Sequence, residues 1–488
     1  MKQSDFDIIV VGGGHAGVEA VLAASRMGRT VALVTMDRRK LALMSCNPAV
    51  GGLGKSHIVK EIDALGGLMG KAIDATGIQF RKLNLSRGPA VWSTRAQADR
   101  VAYTKYVSDF VAAAPGVEVI EATAEAVLTG DNKAIGIKTE DGRKIFSRAV
   151  ILCTGTFLSG LIHIGEKKIE AGRHGDKAAY KLSDSLRNLG FEVGRLKTGT
   201  PPRLDGKTID YERCELQPGL EPIPFFSYAT RPYQINQVPC YLTYTTDRTK
   251  EIIMRNLLRS PMFSGQIKSR GPRYCPSIED KIHRFNDKPR HQIFLEPEGN
   301  GTDEIYPNGF STSLPEDVQY EAIRTVIGLE KAEITKPGYA IEYDYCPAYQ
   351  IRATLETRHV EGLYFAGQIN GTSGYEEAGG QGLMAAVNAC LKIAGEPPFV
   401  LSRAESYIGV MIDDLITLST TEPYRMFTSR AEYRLRLRED NARDRLFGYA
   451  GKLGLISQED SVRFEQIQLA TKDEIKRLKK IIVPVSKL

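Results

Sequence analysis

The strongest constraint on the fold stands at the start of the chain. Residues Phe6–Val11 (FDIIVV) form a β-branched run that leads directly into Gly12-Gly13-Gly14-His15-Ala16-Gly17, and a small-residue helical pattern follows through Met27. Strand, glycine turn and helix, in that order, make a cradle for the pyrophosphate of a dinucleotide, because the helix N-terminus offers unpaired N–H groups and positive potential. Each glycine has a separate expected task. Gly12 permits the tight turn, Gly14 lets backbone approach a phosphate, and Gly17 lets the helix sit close on the strand. His15 and Ala16 complete the expected cofactor-binding turn. The second strand, residues 30–35, should end in an acidic residue for a ribose hydroxyl, yet it ends in Thr35 with Asp37 two places on. The ribose contact stays open.

Two later segments bear on which dinucleotide is bound. Residues 148–156 (RAVILCTGT) read as an apolar strand ending in Thr-Gly, and residues 362–368 (GLYFAGQ) as a second one ending in Ala-Gly before glycine-rich sequence and a helix. A nicotinamide Rossmann domain needs no distant returning strand, whereas a two-part flavoprotein uses one to reach the ribityl chain and ring. The pattern favours FAD over NAD; the plain alternative for 362–368 is a buried strand. The expected fold class is α/β: a glutathione-reductase-like two-part FAD-binding Rossmann domain (1–200 and 335–400), an inserted α+β domain (201–334), and a helical C-terminal region (401–488). The insertion is marked by frequent prolines, short apolar runs and interleaved aromatic and basic residues.

Composition narrows the function classes. In 488 residues the longest apolar runs are strand-sized, well short of the roughly 20 residues a membrane-spanning helix needs. The N-terminus shows neither a secretory leader nor a transit peptide, so a cytoplasmic location and no membrane association are expected. Seven scattered cysteines without a CxxC pair argue against a disulfide scaffold or zinc ribbon, and seven histidines without HxH or HxxxH spacing give a metal no support. The Gly51–Lys55 run lacks P-loop spacing, which argues against NTP hydrolysis, and no GxSxG elbow occurs. Net charge is only +6, but it is concentrated. Residues 246–291 carry eleven Lys/Arg against five Asp/Glu, and residues 76–106 carry six against one. Such stretches suit a polyanion.

Three segments suggest chemistry. In residues 269–281 (SRGPRYCPSIEDK), Cys275 is flanked by Arg270, Arg273 and Lys281, a cationic setting that favours thiolate and also holds phosphate. The bland alternative is a turn cysteine beside solvated charges. Cys46 lies in a Gly/Pro-rich loop (MSCNPAVGGLGK) after the second strand, either facing a flavin or buried as a small hydrophobe. Residues 425–445 hold seven arginines and four acids, including Arg425, Arg430, Arg434 and Arg436. They read either as a solvated helix face laced by i,i+4 pairs or as an RNA or flavin-edge contact surface.

Together the segments GPRYCPSIEDK (271–281), AGQINGTSGYEEAGGQG (366–382), GGGHAG, SCNPAVGGLGK, RLKTGTPPR (195–203) and EPYRMFTSRAEYRL (422–435) resemble the GidA/MnmG family over essentially the whole chain. The resemblance implies an FAD-dependent enzyme that builds the 5-carboxymethylaminomethyl (or aminomethyl) group of tRNA wobble uridine 34. It further implies NADH as reductant, 5,10-methylenetetrahydrofolate as one-carbon donor, glycine or ammonium as nitrogen source, a homodimer, and a heterotetramer with the MnmE-type GTPase. Carried over by position, Gly12 to Gly17 and Gln368 contact FAD, and the segment containing Gly271, Pro272, Arg273, Tyr274, Pro276, Ser277 and Lys281 is associated with NADH. Cys46 and Cys275 are the implied functional thiols. Uracil C5 is a weak nucleophile until something adds at C6, a task that suits a thiolate; the cationic neighbours of Cys275 favour it as nucleophile, with Cys46 on the flavin side. Arg270, Arg273, Arg425, Arg430, Arg434 and Arg436 are the candidate tRNA contacts. The resemblance also implies further helical sequence beyond residue 488. The rival classes are a folate- and FAD-dependent methyltransferase of tRNA uridine 54, a small-acid flavin oxidoreductase and a non-catalytic RNA-binding scaffold.

Overall fold

The computed structural model describes residues 4–271, 276–418 and 422–481; the expectations for Pro272, Arg273, Tyr274 and Cys275 therefore lie outside the described residues. The N-terminal strand Phe6–Val11 is central in a seven-stranded sheet. It pairs in parallel with Val31–Thr35 on one side and with Lys144–Leu152 on the other, in register Ile8↔Val31 and Ile8↔Ala149. Val31–Thr35 continues the parallel set to Val117–Glu121, and Leu363–Phe365 returns to pair with the end of Lys144–Leu152 through Leu363↔Val150. The returning strand is thus a sheet member, as the two-part architecture requires. Of these strands, Phe6–Val11, Val31–Thr35, Leu363–Phe365 and the end of Lys144–Leu152 are largely apolar on both faces because helices or further strands cover both, whereas the edge strand Val117–Glu121 is partly exposed. Ile8, Ile9, Val31, Leu33, Val150, Ile151 and Phe365 are all fully buried.

The small residues of the first helix, His15–Arg26, serve a close contact. It packs against the long helix Tyr375–Ala394, where a Cβ on Gly382 would meet the Ala16 carbonyl oxygen at 1.9 Å. Only glycine allows that approach. The two halves of the glycine-rich sequence are joined here.

Residues 203–336 contribute a separate antiparallel sheet in the order Glu215–Gln217, Cys240–Tyr244, Gln292–Pro297, Glu304–Asn308, Arg203–Asp205, Ile334–Lys336. Three helices, Asp247–Arg255, Ile278–Arg284 and Glu316–Ile323, contribute to its own core, which runs from Leu204 to Ala332. A four-stranded sheet connects it to the first part: Lys167–Glu170, Leu161–Ile164, Tyr339–Tyr345 and, at the edge, Gly194–Thr200.

The C-terminal part holds the helices Tyr407–Thr417, Ala442–Lys452 and Gln458–Lys479. Most of the arginine-rich stretch is not a helix face; within 425–445 only Arg443 and Arg445 lie on a helix, where Arg445 donates to Asn441 four residues back. Apart from a single turn at Thr428–Arg430, residues 422–441 are irregular, and Arg430, Arg434 and Arg438 turn to nearby carbonyls and carboxylates. No described helix is long and apolar enough to cross a membrane.

Candidate functional site

The glycine turn has the geometry its sequence suggests. Gly12 has φ +106°, and a Cβ there would strike the Cys153 carbonyl oxygen at 2.2 Å, so it serves the crossing between adjacent strand ends. A Cβ on Gly17 would lie 1.9 Å from the Gly12 oxygen, which fixes the helix on the turn. Gly14 faces open space with nothing within 4 Å, at the start of the helix. Two glycines shape the turn and the third leaves room for a ligand. Gly13 lies between Leu41 and Thr35.

Two buried polar atoms without protein partners belong to residues that adjoin the turn, His15 next to Gly14 and Thr154 next to Cys153. His15 Nε2 and Thr154 Oγ1 belong to nearly buried residues and have no hydrogen-bond partner. Burial lowers the His15 pKa to about 4, so its ring is neutral at pH 7 and has one N–H to give. Gln368 begins the turn after the returning strand, and its Oε1 comes within 3.5 Å of a Cβ built on Gly155. The donor set, the open glycine and the uncommitted buried atoms fit a dinucleotide laid from Gly12–Gly17 toward Gln368. Asp37 is committed elsewhere: it caps Arg39 N–H at 3.0 Å and pairs with Arg39 Nε at 2.9 Å, and this Arg39 hydrogen bonding holds its carboxyl down at about 2.

The turn connects directly to Cys46. The His15 ring stacks on Tyr375 with centroids 4.6 Å apart, and Tyr375 Oη accepts from the Cys46 N–H at 2.9 Å. Lys55 and Glu376 pair at 2.7 Å, and Glu376 also accepts from Gly51 N–H at 2.8 Å, tying the loop after Cys46 to the start of the long helix. Cys46 itself is half-buried. Its Sγ lies 3.1 Å from Tyr306 Oη and 3.5 Å from the Gly199 carbonyl. Arg203 donates to the carbonyls of Ser45 and Cys46 at 3.3 and 3.2 Å and is neutralised by Glu298 at 2.5 Å. Three sequence segments that are far apart in the chain therefore meet at one thiol.

The basic segment approaches along the same edge strand. Lys197 N–H donates to the Arg270 carbonyl at 3.1 Å, Arg270 bridges Leu196, and Ser269 Oγ donates to Glu342 at 2.7 Å. Gly271 packs on the Lys197 side chain, where a Cβ would meet Cε at 2.3 Å. At about 3.3 Å per residue, the Leu196 contact is roughly 10 Å along the strand from Gly199. Past Pro276, Ser277 Oγ caps the helix Ile278–Arg284 by accepting from Asp280 N–H. Lys281 Nζ donates to the Gly309 carbonyl at 2.8 Å, so part of its donor capacity serves its own fold.

The candidate RNA-facing arginines divide into two sets. Arg430 lies over the Tyr424 ring at 4.2 Å and 3.4 Å from Asp414, and it donates to the Arg425 carbonyl. Arg434 and Arg436 are exposed on the loop Ser429–Arg436, which curls around an open cavity of about 670 Å³. The base of this loop touches the cofactor side: Met426 N–H donates to Glu377, Tyr424 N–H donates to the Gly371 carbonyl, and a Cβ on Gly54 would lie 2.8 Å from Phe427 Cα.

The family profile described as "Glucose inhibited division protein A" matches residues 7–397. The chain belongs to the GidA family. It is 57% identical over 478 residues to the "tRNA uridine 5-carboxymethylaminomethyl modification enzyme MnmG" of Thermodesulfovibrio yellowstonii, covering 98% of this chain and 77% of that protein. The protein of the same name from Geobacter sulfurreducens is 54% identical over 98% of this chain and 76% of its own length. The crystal structure of Aquifex aeolicus GidA superposes with a TM-score of 0.94 at 48% identity, covering 99% of this chain and 79% of that one. Sequence reasoning pointed to the GidA glycine turn and to Cys46, but gave no role to Tyr306, Arg203 or Tyr375. Arg203 lies inside the quoted motif RLKTGTPPR; Tyr306 carries no local signal.

Proposed function

We propose that this chain is an FAD-dependent enzyme that installs the 5-carboxymethylaminomethyl (or aminomethyl) group on wobble uridine 34 of tRNA. The observation that carries the reading is the His15–Tyr375–Cys46 run, which joins an open dinucleotide turn to a half-buried thiol. Family membership supports it, as does the basic loop rooted beside the same turn. Gly14, His15, Thr154 and Gln368 would hold FAD, which when bound supplies hydride chemistry and a carrier for a one-carbon unit. The chain's own residues do the rest. The backbone of the turn and the start of the first helix take the phosphates, and neutral His15 presents an N–H without adding charge. The stacked Tyr375 ring blocks one wall and fixes the Cys46 backbone.

In this reading the segment that begins at Gly271 and includes Ser277 and Lys281 would hold NADH, which would supply reducing equivalents, while 5,10-methylenetetrahydrofolate and glycine or ammonium would supply the new atoms. Cys275 adds to uridine C6, while Cys46 works beside the flavin. A homodimer, assembled with an MnmE-type GTPase as a heterotetramer in the cytoplasm, completes the proposal. The test is mass spectrometry of digested tRNA from cells lacking the protein, complemented with wild type, Cys46→Ser or Cys275→Ser. Wild type restores the wobble-uridine mass; Cys275→Ser does not, yet purifies yellow. A change confined to uridine 54, or a purified chain unable to take up flavin, overturns the proposal.

A further inference from the structure

The contact between Tyr306 and Cys46 crosses from one domain to another. Cys46 sits on the loop after the second strand of the dinucleotide domain, and Tyr306 belongs to the strand Glu304–Asn308 of the insertion. Tyr306 is buried, held in register opposite Glu296, with its hydroxyl 3.1 Å from Sγ. The Arg203 guanidinium lies 4.7 Å from the centre of the Tyr306 ring. A cation over the ring face draws electron density from the phenol and makes its O–H a better donor. Arg203 is fixed by a full set of acceptors: Glu298, Thr200 Oγ1, and the carbonyls of Pro201, Ser45 and Cys46.

We propose that Tyr306 is the positioning residue of Cys46, donating its phenolic hydrogen to Sγ so that the thiolate is stabilised once the S–H, which the Gly199 carbonyl accepts at 3.5 Å, gives up its proton, and the sulfur is aimed from the inserted domain. The proposal deepens the modification-site reading and takes from it the view of Cys46 as a working thiol. The charged and titratable groups around the sulfur agree with it. Arg203 stands behind Tyr306, Arg173 reaches Ser45 Oγ at 3.1 Å on the neighbouring residue, Tyr375 holds the Cys46 N–H, and Tyr339 approaches from the connecting sheet. Among the described residues the carboxylates in this group are Glu298, paired with Arg203 at 2.5 Å, and Asp176, paired with Arg173 at 2.7 Å. A hydrogen-bond donor to sulfur favours the anionic form. Thiol reactivity then depends on the two domains being together: separating them removes Tyr306 and exposes Cys46 at once.

The test is the pH dependence of iodoacetamide alkylation at Cys46, read by peptide mass spectrometry on the full chain from pH 6 to 10. Tyr306→Phe removes only the hydroxyl, and the Cys46 midpoint should rise by about one pH unit, the equivalent of a hydrogen bond to a charged group. Incorporating 4-aminophenylalanine at position 306 keeps an N–H donor that is weaker than the phenol and neutral across this pH range, and should leave the midpoint between those of wild type and Tyr306→Phe. That second arm also carries the test if the phenylalanine variant does not fold. A purely structural role would leave the midpoint of the isosteric 4-aminophenylalanine protein unchanged, so a midpoint equal to that of wild type in that protein overturns the proposal, as does one indifferent to loss of the hydroxyl. Alkylation needs no RNA or folate. A shifted midpoint in a protein that modifies no tRNA would therefore refute the modification reading and leave the Tyr306 contact standing, and the reverse result would do the opposite.

Discussion

At the scale of single residues, three glycines in one turn have different neighbours and should fail differently. Gly17→Ala places a methyl 1.9 Å from the Gly12 oxygen, where only a shift of helix against strand can relieve it. Overpacking of this kind costs about 1–3 kcal/mol, so the variant should melt several degrees lower whether or not flavin is present. Gly14→Ala has an ordinary backbone conformation, φ −75°, and open space around the new carbon. It should melt as the wild-type apoprotein does while its yield of bound flavin falls at least tenfold, read from the absorbance ratio of the purified proteins. Equal flavin content in wild type and Gly14→Ala would mean that no phosphate approaches that backbone. These positions were legible in the sequence because the demand is local: a turn of this shape permits only glycine at two points, and spacing along the chain fixes which. The surroundings of Cys46 were not legible, because Gly199, Arg203 and Tyr306 reach it across more than 150 positions of sequence, and no periodicity encodes such a meeting.

At the scale of elements, the helix Lys55–Ala64 shows how burial becomes a pH response. His57 is fully buried against Tyr407, with ring centroids 4.5 Å apart, and neither of its nitrogens has a hydrogen-bond partner. Burial lowers its pKa to about 4 against 6.5 when exposed, with Glu439 opposing and Arg445 adding to the shift. A depressed folded pKa means that the unfolded chain takes up the proton first. The stability His57 contributes is therefore whole above pH 6.5 and is lost as pH falls from 6.5 to 4. Glu19, Glu61 and Asp63, whose carboxyls burial pushes up, titrate with the opposite sign. The clean readout is thus a difference: urea unfolding of wild type and His57→Gln at pH 7.5 and 4.5. The wild-type advantage should shrink by up to about 3 kcal/mol between them, and an advantage that stays constant would show that His57 does not titrate in this window. The 422–441 stretch carries the contrary lesson about elements. Its composition suits a helix, yet Arg403, Arg430 and Tyr424 gather on Asp414, and this cluster keeps the chain irregular by supplying partners that a helix would not. Side-chain demand outweighed propensity there.

At the scale of the whole molecule, charge is arranged so that the cofactor end and the basic surface share a foundation. The stretch that begins at Tyr424 on the Gly371 carbonyl and passes Phe427 against Gly54 emerges as the loop Ser429–Arg436, so the same residues that close the glycine-rich side also carry the exposed arginines. Within that loop the guanidiniums are not equivalent. Arg430 is bound to Asp414 and Tyr424 and acts as a strut; Arg434 donates to the carbonyls of Ala431 and Ser429 at 3.2 and 3.4 Å, and with Arg436 it stays exposed. If the loop guides tRNA toward the thiol, phosphate neutralisation falls to Arg434 and Arg436. Replacing both with Gln should then flatten the dependence of log K on log salt for tRNA binding by roughly one to two units, since each phosphate contact releases a little under one counterion. Replacing Arg430 should instead lower the melting temperature and leave the slope close to that of wild type, because its charge is already spent inside the protein. Filter binding from 50 to 300 mM salt separates the two, and an unchanged slope in the double variant would move the RNA path away from this loop, toward the basic stretch around Arg270.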